Sequence, residues 1–140
     1  MELAELISHL QQDPRRLGLN RSFSSISAFF LGIEVGAGFN GVMYGFTEWL
    51  VPKLSGSNSW PWEKLVVKHA LGEQRAAMSA VEAFTPQEDE ACLASLYELL
   101  AEFEGEQRQT HLHLRQVYWR YNEWLRAQDW FVHDGSTPGT

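Results

Sequence analysis

Apolar residues recur at intervals of three and four along most of the chain, and no segment alternates strongly with period two. That pattern predicts an all-α protein, a compact bundle of about six helices. The weakly alternating stretch from Thr110 to Val117 is the nearest thing to a strand. Leu3, Leu6, Ile7 and Leu10 predict a first helix, which Asp13-Pro14 ends. Ser22 or Ser24 can cap a second one through Ile26, Phe29, Phe30, Ile33 and Val35. Gly32, Gly36 and Gly38 weaken its end, and Phe39-Asn40-Gly41 reads as a turn.

Phe46, Trp49, Leu50 and Leu54 suggest a short third helix. Pro52 lacks the N–H that a helix interior uses, so a kink or a later start is expected there. Trp60-Pro61-Trp62-Glu63 opens a fourth helix with Pro61 in its first turn, running to about Leu71. Gly72 separates it from a fifth helical segment, Glu73 to Phe84. The sharpest local signal is Thr85-Pro86-Gln87-Glu88, which has the residues of a capping box with proline at the first helical position. The helix it starts buries Cys92, Leu93, Leu96, Leu99, Leu100 and Phe103, with Gly105 as a point of interruption. A last helix places Leu114, Val117, Tyr118, Tyr121, Trp124 and Leu125 on one face.

At 140 residues the chain is sized for one domain, expected over 1–133, with a flexible tail over 134–140. No apolar run reaches the roughly 18 residues of a membrane span. The first residues carry Glu2, Glu5 and His9 rather than the layout of a signal peptide. One cysteine leaves no internal disulfide framework. These features predict a cytoplasmic protein.

The formal charge of −7 is unevenly placed. Residues 1–70 hold six basic and six acidic side chains, and residues 71–140 hold five and twelve. All of the excess negative charge therefore falls in the second half. Such a surface repels nucleic acid and anionic lipid and attracts basic partners.

The candidates for chemistry are thin. His111 and His113 would diverge by about 200° on a helix, and zinc needs three or four convergent ligands. His9, His69 and His133 stand alone in sequence. Cys92 lies on an apolar helix face, where a free thiol behaves as a small hydrophobe. Serines 22, 24, 25 and 27 fit no nucleophile-elbow pattern. Gly32 and Gly36 do not have phosphate-loop spacing, and predict instead a close approach by another helix. Glu34 between them, if buried, needs a partner such as Arg15, Arg16 or Arg21. The expectation is a protein without catalytic residues, metal or cofactor.

Two features point to a binding surface. Glu88, Asp89 and Glu90 are explained by the helix dipole, but Glu98, Glu102 and Glu106 form an i, i+4, i+8 row of like charges. The row is either a solvated face partly neutralised by Arg108 or by arginines of the last helix, or an acidic docking surface. Trp119 points about 160° away from the apolar face centred on Tyr121. It shares the polar side with Arg115, Asn122, Glu123 and Arg126. It is either an exposed hot spot or a ring stacked on a neighbouring helix.

The order of motifs also resembles a family. Asp13-Pro14, Leu19-Asn20-Arg21-Ser22-Phe23 and Phe29-Phe30-Leu31-Gly32-Ile33-Glu34 are similar to a pattern in small bacterial proteins encoded beside polymorphic toxins. Phe46-Thr47-Glu48-Trp49-Leu50, the helix opened by Ser59 to Trp62, and Leu96 to Phe103 continue it. Arg15-Arg16-Leu17 departs from the family's Met-Tyr-like opening. The resemblance spans about residues 13–103 and implies an immunity protein, which neutralises a cognate toxin by direct binding. The expected partner surface is Glu98, Glu102, Glu106, Arg115, Trp119 and Glu123. The alternative from another class is a helical adaptor or regulatory subunit of an intracellular complex, such as a homodimer joined through the tryptophan face.

Overall fold

The computed structural model describes residues 2–38, 41, 43–79 and 82–131. The expected turn at Phe39-Asn40, His133 and the tail from Asp134 lie outside them. Among the described residues the chain is all-α, with no strand. The helices are α1 (Leu3–Gln12), α2 (Phe23–Gly36), α3 (Phe46–Leu54), α4 (Trp62–Leu71), α5 (Glu73–Ala77), α6 (Pro86–Gln109) and α7 (His113–Arg126), with a 3₁₀ turn at Pro14–Leu17. None is long and apolar enough to cross a membrane.

The local signals act as their chemistry requires. Ser22 caps α2 by accepting the Ser25 N–H at 3.1 Å. Thr85 accepts the Glu88 N–H while the Glu88 carboxylate takes the Thr85 N–H at 3.0 Å, so two orphan donors of the first turn are satisfied reciprocally. This cap starts the 24-residue α6, which runs through Gly105 without a break. α6 is the hub of the bundle and packs against α1, α2, α4 and α7. Its Leu96, Leu100 and Phe103 are fully buried with Phe30, Phe46, Leu50 and Leu65. Phe103 meets the Phe46 and Trp49 rings edge-on at 5.3 and 5.4 Å. Offset and edge contacts of this kind add about 0.5–1.5 kcal/mol each beyond burial.

Two further expectations are corrected, at the fifth helix and at Gly32 and Gly36, and open alternatives are decided at α3 and Thr110. The fifth helix stops at Ala77, well short of Phe84. Beyond it the carbonyls of Glu82 and Ala83 are satisfied from the side, by Nη2 of Arg75 at 3.1 Å each. Arg75 also forks onto the Glu88 carboxylate and covers the Phe84 ring, which ties α5 to the start of α6. α3 begins at Phe46 rather than later and holds Pro52 in its final turn, ending at Leu54. Thr110 is extended, but only as the C-cap of α6, and helix resumes at His113. Among the described residues no helix approaches Gly32 or Gly36, because both lie on the exposed side of α2 with open space where a Cβ would stand.

Candidate functional site

α7 is amphipathic because His113 and Val117 are buried while Tyr121 and Trp124 pack against the core. The seam with α3 is close at Gly45, whose φ of +85° suits glycine and whose absent Cβ leaves room for Leu114 and Val117. With this face fixed inward, the opposite face must meet solvent. Trp119 is 65% exposed, and Arg115, Asn122, Glu123 and Arg126 are exposed around it. Trp119 is therefore not stacked inside the bundle. Leu112, two turns earlier on the same side, is 41% exposed. The result is a ridge with two apolar knobs set among charged side chains.

The glutamate row does not join this ridge as a unit. Glu98 is exposed, but Glu102 pairs with Lys53 of α3. Glu106 accepts the Trp49 indole N–H and lies 3.6 Å from Arg120 of α7. Arg108, one of the expected neutralisers, instead bridges Glu104 and Glu2. Two of the three glutamates are thus fastened to the fold, and the neutralising partners are Lys53 and Arg120.

Glu34 is buried, but no arginine reaches it. Its carboxylate accepts the Met43 N–H at 2.9 Å, and Gly41 makes room for it, since a Cβ there would stand 2.5 Å from Oε1. Arg15 and Arg16 lie against Asp13, and Arg21 reaches the last carbonyls of α1. Beside Glu34 is a cleft of about 310 Å³ that sequence spacing did not reveal. Glu34, Glu48 and Glu63 open into it with Tyr44 and Tyr118. The two tyrosine rings lie 6.4 Å apart. Burial first, then the bond to Tyr44 and the Glu48 charge, push the Tyr118 hydroxyl up to about 12, so it stays neutral.

A larger cleft of about 600 Å³ lies between α1, the start of α2 and α6, with Leu10, Ile26, Leu93 and Tyr97 in its wall. Two of its three charged groups, Arg21 and Asp89, have structural tasks, and Glu90 is exposed. Arg21 covers the end of α1, and Asp89 accepts the Phe23 N–H at 2.8 Å. Among the described residues no group of three or more histidine, cysteine or acidic side chains is placed to hold a metal ion. Cys92 is buried, and burial together with Asp89 and Glu88 raises its thiol to about 11. His113 is only 4% exposed, its Nε2 has no hydrogen-bond partner among the described residues, and burial lowers its pKa. His111 is exposed.

Compared with family models, curated proteins and solved structures, the chain matches none.

Proposed function

We propose that the protein is an immunity-type inhibitor, which binds a cognate bacterial toxin and occludes its working surface. A basic nuclease domain is the toxin class its charge fits best. The observation that carries this reading is the exposure of Trp119 on the outer ridge of α7, beside Arg115 and Glu123. Keeping so large a ring in water forgoes about 1.5–3 kcal/mol of burial energy, which a partner recovers on docking. Exposed tryptophan flanked by charge is the composition of interface hot spots. The net charge of −7 would speed encounter with a basic partner and raise the penalty for an acidic one. The resemblance of residues 13–103 to toxin-linked immunity proteins supports the same role.

The competing arrangement is a homodimeric adaptor joined through Leu112 and Trp119, which the exposure of both side chains also permits. Sedimentation of the protein alone and with the product of the neighbouring gene separates the two. The inhibitor predicts a monomer that forms a defined complex, and Trp119→Ala should weaken that complex by about 30-fold, the scale of one hot spot. A dimer that Trp119→Ala splits, with no complex formed, replaces the inhibitor reading with the adaptor.

A further inference from the structure

The cleft beside Tyr118 is chemically unlike the rest of the surface. Glu48 and Glu63 each sit in the first turn of a helix, where the dipole alone accounts for them. The dipole does not account for their opening into one cleft with the buried Glu34, or for the lack of any lysine or arginine among the described residues that line it. Glu34 is only 8% exposed and has no ion pair among the described residues. Two helix N-termini contribute about half a positive charge each, which leaves the cleft net negative by about two charges. The walls between these charges are the rings of Tyr44 and Tyr118, whose π-faces attract cations.

What lies next to the cleft indicates a polypeptide rather than a free amine. Leu31 and Val35, one turn apart on α2, are 46% and 55% exposed, and the bare backbone of Gly32 and Gly36 flanks them. Leu31 lines the acidic, aromatic socket itself, and Val35 extends the exposed apolar strip one turn further along α2. On the other side, Tyr118 is followed in α7 by Trp119, about 100° further round the helix. Socket and ridge thus belong to adjoining strips of one surface.

We propose that this cleft is the socket for an arginine side chain of the partner protein, with apolar neighbours of that arginine resting on Leu31 and Val35. The planar guanidinium can lie against a tyrosine ring while its N–H groups reach the carboxylates, an arrangement that a compact ammonium matches less well. The proposal deepens the binding role proposed above by naming the residue type that the partner must present.

The test uses an acetylated, amidated peptide Leu-Ala-Arg-Ala-Leu and the same peptide with citrulline, an uncharged isostere, in place of arginine. Each is titrated into the full chain to about 10 mM, which detects millimolar affinity, and followed by amide chemical shifts. The arginine peptide should shift Gly45, Glu48, Glu63 and Tyr118, and citrulline should bind about tenfold more weakly, as the loss of a charge-assisted contact implies. The Glu48→Gln/Glu63→Gln double variant, with its folding checked by thermal melting, should lose a similar factor. No shift at the cleft, equal binding of both peptides, or shifts confined to the Glu98 side overturns the socket. The two proposals fail separately. A toxin complex indifferent to the double variant removes the socket alone, whereas peptide binding at the cleft without any toxin complex removes the inhibitor alone.

Discussion

The Trp49 indole N–H donates to the Glu106 carboxylate, joining α3 to α6 across 57 positions of sequence. The same carboxylate lies 3.6 Å from Arg120 of α7. A glutamate that sequence spacing offers to a partner protein is therefore the point where three helices meet. Trp49 is buried, so deleting the acceptor takes from its N–H the one hydrogen-bond partner it has among the described residues.

Glu106→Ala is accordingly expected to destabilise the protein by about 1–3 kcal/mol, the penalty for an orphaned buried donor. Glu98→Ala, in the same row but exposed, should stay within about 0.5 kcal/mol. Urea midpoints of the two variants decide this. Equal midpoints would mean that Glu106 is as free as Glu98.

Two glycines should respond in opposite directions. Gly45→Ala puts a side chain at a φ of +85° and a Cβ 2.9 Å from Leu114 Cδ2, and should cost about 1–3 kcal/mol. Gly105 lies inside α6 with open space around its missing Cβ. Gly105→Ala should stabilise by about 0.5–1 kcal/mol through helix propensity. Thermal melts of both variants would show it, and a destabilised Gly105→Ala would argue against a continuous α6.

His113 sets a pH dependence. Its folded pKa is lowered from 6.5 by burial, with the nearby Arg120 adding a smaller push and Glu106 opposing. The unfolded chain therefore takes up the proton first as pH falls. The stability tied to neutral His113 is fully present well above 6.5, is lost as pH falls below it, and stops falling once the folded pKa is passed. Urea unfolding at pH 7.5 and 5 should show a smaller loss in His113→Gln than in wild type. That window lies above the range in which Glu88, whose pKa is lowered from 4.5, contributes its own loss.

The surface of α7 should be separable from its core. Trp119→Ala is expected to leave stability within about 0.5 kcal/mol, because the ring contributes little to folding at 65% exposure. Val117→Ala, on the buried side of the same helix, should cost about 1–3 kcal/mol, the usual result of removing core methyls. Tryptophan quenching by acrylamide in the native state should also fall in Trp119→Ala. An unchanged quenching constant would place that ring inside the bundle.

The sequence by itself determined where most helices start and which faces they bury. A threonine cap with glutamate three residues on, a serine before an apolar run, and apolar spacing of three and four act within one or two turns. Such signals are complete before any tertiary contact forms, so Thr85, Ser22 and the Cys92 to Phe103 face could be read directly. The same helical geometry turned Trp119 away from the apolar face, while its exposure to solvent rather than to a neighbouring helix was decided by the packing.

Only the tertiary structure decided which charges remain available. Lys53 meets Glu102 across 49 positions and Trp49 meets Glu106 across 57, separations that carry no periodic signal. The division of charge along the chain also misled. The first half is neutral by count, yet packing gathers three of its six carboxylates, Glu34, Glu48 and Glu63, around one cleft. Gly32 and Gly36 were spaced for a helix contact, but α2 turns that side to solvent. Local geometry chooses a face for each side chain. What stands opposite that face depends on how the helices pack, and packing is a property of the whole core.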